Sequence, residues 1–314
     1  MSAPEISIVI PARDAARTLP DTLAALDRQR GAPNHEVILV DDGSRDETAS
    51  LAEAASIVDR VLRIQAAGPA TARNVGAASA QGGKLAFLDA DCVPVEGWLA
   101  AGAAALEDAE LVLGETRTQS DRPRAAFDRT LEVTAGSPLW ESANLFVRRE
   151  LFEALGGFES WLRPWRGGKE LGEDVWLGWR AIRAGARTTG SPQALVHHAV
   201  HRGTAAAYVA ERARLRFFPA LARRVPELRR EFFHHRLFLN RRSERFDLAV
   251  AGLIAGAMGY RRAGLVAVLP YGRELVRDLR EPDGIPKALV RPAADAVGLG
   301  ALLLGSLRYR SPLF

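Results

Sequence analysis

Three acidic clusters and one histidine cluster hold most of the chemistry that this sequence could perform. They are Asp41-Asp42-Gly43-Ser44, Asp89-Ala90-Asp91, Glu173-Asp174, and His197-His198 with His201. Asp89 and Asp91 follow the apolar run Leu85-Ala86-Phe87-Leu88, so both carboxylates can point into one crevice at a strand end. Hard divalent cations take oxygen ligands, often one or two carboxylates together with substrate phosphates. Taken alone, such a pair reads more readily as two solvated loop acids, and its place at a strand end is what raises the functional reading. Asp41-Asp42-Gly43-Ser44 alone is a turn with a helix cap. Glu173-Asp174 follows Gly172 and opens a helix, where acids suit the positive end in any case. His197 and His201 have spacing that on a helix could bind zinc, but no glutamate accompanies them in the metalloprotease arrangement.

These groups need a scaffold that gathers strand ends, and the first third of the chain predicts one. Ile6–Ile10, Val37–Val40, Val58–Ile64 and Lys84–Leu88 read as buried strands. Helical patterns lie between them, over Thr18–Arg30, Asp46–Ala55 and Ala70–Ala80. Repeated strand–helix units with continuous apolar strands predict an α/β fold, a mostly parallel Rossmann-like sheet flanked by helices. Ligands of such sheets bind at the carboxyl ends of the strands, here Pro11–Asp14, Asp41–Ser44 and Asp89–Asp91. Further along, Gly97–Leu106, Arg148–Leu155 and Val175–Ala184 read as helices, Leu111–Thr118 and Ser142–Val147 as strands, and Arg122–Arg129 as a loop.

Composition narrows the classes further. The 314 residues are 47% hydrophobic and 25% charged, which excludes a disordered chain and a disulfide scaffold. Cys92 is the single cysteine, so neither an internal disulfide nor a cysteine zinc cluster can form. No Gly-x-Gly-x-x-Gly follows a strand, Gly83-Lys84 lacks the rest of a phosphate loop, and no Gly-x-Ser-x-Gly occurs. Nicotinamide oxidoreductases, P-loop enzymes and serine hydrolases are therefore poor fits. The net charge of +4 divides unevenly, with −7 over residues 1–200 and +11 over residues 201–314.

The motifs Ile6–Asp14 (ISIVIPARD), Val40–Asp46 (VDDGSRD), Gly68–Gly76 (GPATARNVG), Leu88–Pro94 (LDADCVP), Ser142–Phe152 (SANLFVRRELF), Gly156-Gly157-Phe158 and Gly172–Gly185 (GEDVWLGWRAIRAG) occur in one order. That series resembles glycosyltransferase family 2, the inverting nucleotide-sugar transferases of GT-A fold, over roughly residues 5–202. The resemblance implies a nucleoside-diphosphate sugar donor, UDP-linked first among candidates, with Mn²⁺ or Mg²⁺ as cofactor. It implies that Pro11, Ala12, Arg13 and Asp14 line the nucleotide and that Asp42 bonds the base. Arg73 lies beside the nucleotide, and Asp89 and Asp91 hold the ribose and the metal. Asp174 matches the general base with Glu173 beside it, and His198 matches a histidine completing the metal site, with His197 as the alternative. The family often has Asn-Glu or Asn-Asn where this chain has Arg13-Asp14, which leaves the role of Arg13 open.

The expected organisation is a catalytic domain over 1–202 and a helical, arginine-rich extension over 203–314. The extension has apolar runs at Leu248–Met258, Ala263–Leu269 and Ala296–Leu304, none reaching the roughly 20 residues needed to span a bilayer. Its arginines fit a solvated helical face, and its apolar runs fit a helical cap or an oligomer contact. Together they also fit a face for an anionic membrane surface carrying a glycan or lipid-linked acceptor. The N-terminus shows no secretory signal, so the expected location is cytoplasmic, peripheral on the inner membrane face. No aromatic residues interleave with the arginines in a stacking pattern, and nucleic acid is not an expected partner. The rival readings are a non-catalytic binding or scaffold protein on the same fold and a nucleotidyltransferase. Against the latter, Pro11-Ala12-Arg13-Asp14 is not a glycine-rich loop.

Overall fold

The computed structural model of the protein describes residues 3–119, 124–162 and 171–314. The chain divides into two compact units, Met1–Arg122 with Thr130–Val200, and Pro123–Arg129 with His201–Phe314.

The first unit runs β1 (Ile6–Ala12), α1 (Leu19–Asp27), β2 (His35–Asp41), α2 (Thr48–Ala54), β3 (Arg60–Arg63), α3 (Pro69–Ser79), β4 (Lys84–Leu88), β5 (Cys92–Pro94), α4 (Trp98–Asp108), β6 (Leu111–Thr118), β7 (Asn144–Arg148), α5 (Arg149–Ala154), α6 (Glu173–Arg183) and β8 (Thr188–His198). The eight strands form one sheet in the order β3-β2-β1-β4-β7-β6-β8-β5. β3, β2, β1 and β4 run parallel, as do β6 and β8, while β7 and β5 are antiparallel to their neighbours. The α/β expectation therefore holds as a mixed, mostly parallel sheet flanked by helices.

β1 and β2 are buried on both faces, which is why their sequences are continuous apolar runs instead of alternating ones. Ile6, Ile8, Ile10, Val37, Leu39 and Leu88 pack with Trp98 and Phe146 in the core. Helix α3 packs against β1 through Gly76, where an added Cβ would lie 2.4 Å from Val9 Cγ1.

Two strands were absent from the sequence expectation. β5 has three residues, too few to show any period. β8 contains Gly190 and Pro192, and its register with β6 shifts between Gly114 and Glu115. His197 and His198 thus lie on a strand, and the helical zinc spacing with His201 does not exist. The expected loop over 122–129 begins outside the described residues.

The second unit is helical, as expected: α7 (Ala205–Glu211), a 3₁₀ segment (Arg212–Phe217), α8 (Phe218–Arg224), α9 (Leu228–Glu231), α10 (Arg241–Ala257), α11 (Arg261–Leu279) and α12 (Gly284–Tyr309). Asn240 opens α10 with a capping box, accepting from the Arg242 and Ser243 amides while Ser243 Oγ accepts from the Asn240 amide. Arg242 pairs with Asp278 at 3.1 Å and Asp295 at 3.0 Å, and Arg291 also pairs with Asp278. Arg245 pairs with Glu274. Part of the basic charge is therefore internal, tying α10, α11 and α12 together.

The expectation of no membrane-spanning length needs correction. α12 is 26 residues long and apolar enough, by length and composition, to cross a bilayer. Pro292 sits inside it without ending it, so the Ala296–Leu304 run is only part of a longer helix. A third of its most apolar stretch is buried within the chain (33%), well short of a mostly buried core helix.

Candidate active site

The carboxyl ends of β1, β2 and β4 converge through their loops. Asp14, with φ +50°, accepts from the Arg45 amide at 2.8 Å, and its own amide donates to Ser44 Oγ at 3.0 Å. The Ala15 amide donates to Thr48 Oγ1 and the Ala16 amide to Asp46 Oδ2. Helix α2 starts at Thr48 and not at Asp46; Asp46 lies in the turn before the cap residue Glu47 and accepts from the Thr48 amide at 3.1 Å. Thr18 and Thr22 both donate to the Ala90 carbonyl, fixing α1 to the turn between Asp89 and Asp91.

Asp42 is buried at the end of β2. Its carboxylate accepts from the Ala67 amide at 2.6 Å and the Gly68 amide at 3.0 Å, so it holds the loop before α3. Gly43 next to it has φ +73° and passes so close to Ala66 that a Cβ would meet its amide nitrogen at 2.9 Å. Arg13, half exposed, reaches to within 3.9 Å of Asp42 Oδ2. Pro11 and Ala12 lie in β1, paired with Val40 and Asp41.

Arg73 on α3 is the buried cation of the site. Its Nη2 donates to Asp89 Oδ1 at 2.7 Å, its Nη1 lies 3.6 Å from Glu173 Oε1, and its guanidinium stacks over Phe158. Burial alone would lower its pKa, but the charges of Asp89 and Glu173 more than reverse this and raise it. The next residue, Asn74, donates to the Phe158 carbonyl and accepts from the Phe158 amide. The Ala-Arg-Asn and Gly-Gly-Phe motifs thereby become one clamp. Gly157 is required there, since it has φ +70° and a Cβ would lie 2.6 Å from Asn74 Oδ1.

Glu173 and Asp174 occupy the first turn of α6, but their surroundings differ. Glu173 is buried against Arg73. Asp174 accepts from the Ser142 amide at 3.3 Å and the Val175 amide at 2.8 Å. Burial pushes its pKa up to about 6, with the Val175 amide and Arg73 opposing and the Glu141 charge adding to the rise. Glu141 is the acid that sequence reasoning missed. Burial raises its pKa too, and its Oε2 is a buried oxygen without a hydrogen-bond partner. No spacing pattern marks it, because tertiary folding alone puts it near Asp174.

His198 reaches Asp91 through the pairing of β8 with β5, which sets Cys92 opposite His198. The Ala199 amide donates to the Asp91 carbonyl at 2.8 Å, and His198 Nε2 lies 3.5 Å from Asp91 Oδ2. His198 Nδ1 lies 2.8 Å from the Ala199 carbonyl, which can only accept, so Nδ1 donates there and Nε2 is the nitrogen left facing Asp91. An imidazole nitrogen and a carboxylate oxygen in that relation suit a divalent cation, with the backbone bond fixing the ligating tautomer. Cys92 lies within reach of the pair, but burial, and then the Asp89 and Asp91 charges, raise its pKa well above the ordinary value. It stays a neutral core thiol. Neighbouring side chains alternate faces along a strand, which sets His197 apart from His198.

Asn144 of the Ser-Ala-Asn motif is structural. It donates to the Glu115 and Ala194 carbonyls and accepts from Trp98 Nε1, joining β6, β8 and α4 around β7.

The family model for glycosyl transferase family 2 matches residues 7–158, and the chain belongs to that family. It is 31% identical over 227 residues to the pre-mycofactocin glycosyltransferase of Mycobacterium tuberculosis, covering 67% of this chain and 45% of that one. It is 30% identical over 174 residues to glycosyltransferase AglE of Haloferax volcanii, covering 51% and 57% respectively. The chain thus spans about half the length of these curated relatives. Among solved structures it is similar to the mannosyltransferase PcManGT from Pyrobaculum calidifontis in complex with GDP-Man and Mn²⁺. The TM-score is 0.56 at 20% identity, covering 99% of this chain and 88% of that one. It is also similar to S. aureus TarS 1-349 in complex with UDP, with TM-score 0.52 at 19% identity and coverage of 98% and 92%. Both are GT-A transferases, and the likeness establishes the GT-A fold.

Proposed function

We propose that this chain transfers a sugar, with inversion, from a nucleoside-diphosphate sugar to an acceptor hydroxyl. The observation that carries the reading is the division of labour among four carboxylates around one buried arginine. Asp89 and Glu173 are held by Arg73, whereas Asp91 faces His198 and Asp174 is left as a basic carboxylate. In this reading Asp174 accepts the proton of the attacking hydroxyl. A pKa of about 6 leaves it ionised at neutral pH yet more basic than an exposed aspartate. Attack on one face of the anomeric carbon and departure of the diphosphate from the other inverts that centre in a single displacement. The chemistry needs no covalent sugar–enzyme intermediate, and no second carboxylate is required as nucleophile.

Asp91 and His198 would hold the cation, with Asp89 beside them. When bound, it neutralises charge that builds on the leaving diphosphate. An imidazole in the set favours Mn²⁺ over Mg²⁺, which prefers oxygen ligands. Pro11 to Asp14, Asp42 and Arg73 line the nucleotide side. The Asp42 carboxylate already holds two amides, so contact with a base would use its remaining acceptor capacity. Relatives of this fold were crystallised with UDP-GlcNAc and with GDP-Man and Mn²⁺, so the fold leaves the base open between uracil and guanine. We place the reaction at the cytoplasmic face of a membrane, on a cell-envelope glycan or lipid-linked acceptor. The support for this is the basic second unit.

The test is a thermal-shift screen of UDP-, GDP- and dTDP-sugars with and without Mn²⁺. A ligand of the native state at a hundred times its Kd stabilises by about 2.7 kcal/mol. One nucleotide series raising Tm only with Mn²⁺ is the expected result, and no shift with any series contradicts the reading.

A further inference from the structure

The basic unit carries an apolar surface that its own fold does not cover. Among the described residues every exposed large hydrophobic side chain falls between Phe232 and Leu307. The densest part is the antiparallel hairpin of α10 and α11. There Leu253, Ile254, Met258, Leu265, Val266 and Leu269 are each 55–71% exposed. Away from the connection the two helices pack through Phe246 and Tyr271, but near it they meet through small residues. A Cβ on Gly264 would lie 2.6 Å from the Gly252 carbonyl oxygen, and one on Gly252 would lie 2.6 Å from Ala267 Cβ. The backbones meet directly there, and the large side chains around that contact stay exposed. A helix apolar on its outward side as well as its inward side is not built for water.

The charges on this hairpin are arranged to match. α11 and its C-cap residue Arg280 place Arg262, Val266, Leu269, Arg273, Val276 and Arg280 along one stripe, at spacings of three and four residues. All six are exposed. Residues 241–280 hold eight arginines against four acids. Three of those acids, Glu244, Glu274 and Asp278, are already engaged by histidine or arginine within the unit. Arg262, Arg273 and Arg280 make no ion pair among the described residues.

We infer that the α10–α11 hairpin lies in the headgroup region of an anionic bilayer, its arginines on lipid phosphates and its leucines and valines below them. A lipid surface is the occupant that satisfies both features at once. It offers fixed negative charge at the level of the arginines and hydrocarbon about 5–10 Å deeper. A second copy of the chain would bring the same positive stripe against itself. This deepens the membrane-side reading above but depends only on the second unit.

The experiment is co-sedimentation of the full chain with phosphatidylcholine vesicles, with and without phosphatidylglycerol, at low and high salt. The wild type sediments with phosphatidylglycerol vesicles and much less with phosphatidylcholine alone. Arg262→Gln and Arg273→Gln each weaken partitioning about fivefold. Leu265→Ser with Leu269→Ser weakens it about tenfold or more. All are surface changes, and circular dichroism verifies the fold. Absence of binding at low salt, or binding indifferent to the arginines and to phosphatidylglycerol, overturns the inference. So does a dimer in light scattering that the double serine variant dissolves without any vesicle binding. Nucleotide binding is read separately by thermal shift. Its absence alongside intact vesicle binding overturns the transferase reading and leaves this one standing.

Discussion

His198 Nε2 lies 3.5 Å from Asp91 Oδ2, brought there by the antiparallel pairing of β8 on β5. The Nδ1 bond to the Ala199 carbonyl fixes which ring nitrogen faces the acid. If that pair holds the cation, Asp91→Asn and His198→Ala each weaken Mn²⁺-dependent nucleotide binding by at least about tenfold, on the scale of disturbed metal sites. His197→Ala leaves it unchanged. Calorimetric titration of nucleoside diphosphate with and without Mn²⁺ measures this, and equal affinities for wild type and Asp91→Asn contradict the assignment.

The pH dependence follows from Asp174. In the proposed transfer Asp174 acts as base only when deprotonated, and its pKa is pushed up to about 6. Transfer therefore falls tenfold per pH unit below about 6 and levels off above it. Glu141→Gln removes a neighbouring negative charge that raises this pKa, so the acid limb moves to lower pH. The log of kcat/KM against pH checks both, and a flat profile between pH 5 and about 7 contradicts the role of Asp174.

The same shift has a cost in stability. A carboxyl whose folded pKa is raised from 3.8 to about 6 holds its proton more tightly when folded. Stability from this group is intact below pH 3.8 and is lost as pH rises through about 6. Asp174→Asn should then be more stable than wild type at pH 7–8, by on the order of 1–3 kcal/mol, and equally stable near pH 3.8. Urea unfolding at the two pH values separates this from a general packing effect. A less stable Asp174→Asn at pH 8 contradicts it.

Arg73 is buried between Asp89 and Glu173, and removing it leaves a buried carboxylate without its cation. Arg73→Met should destabilise by about 3–5 kcal/mol, as breaking a buried pair does. Arg73→Lys should recover part of that, because lysine keeps the charge but not the fork. Chemical denaturation provides the measurement.

The sequence made the parallel half of the sheet readable because β1, β2 and β4 are buried on both faces and become uninterrupted apolar runs. Helix limits were off by one to three residues where side chains such as Asp46 hold the turn before a helix. β5 and β8 were not readable, since one is three residues long and the other is interrupted by Gly190 and Pro192. Each acid motif was visible as a motif, but their separation into different environments was not. Glu173 and Asp174 are adjacent in sequence, and only tertiary packing separates them, setting Glu173 on Arg73 and Asp174 on the Ser142 amide near Glu141. Glu141 had no signal at all. In the second unit, charge and apolar runs were legible. The pairing of Arg242, Arg245 and Arg291 with buried acids, and the length of α12, depend on packing that composition does not encode.

The central claim is that Asp174 is the base of a metal-dependent sugar transfer. Release of nucleoside diphosphate from the nucleotide sugar identified in the Mn²⁺ screen, followed with its acceptor for wild type and Asp174→Asn, tests it most directly. Asp174→Asn is expected to bind the donor as wild type does and to release nucleoside diphosphate about 10²–10⁴-fold more slowly. Chelation of the metal should stop release in both. A variant that retains more than about a tenth of wild-type release would contradict the account.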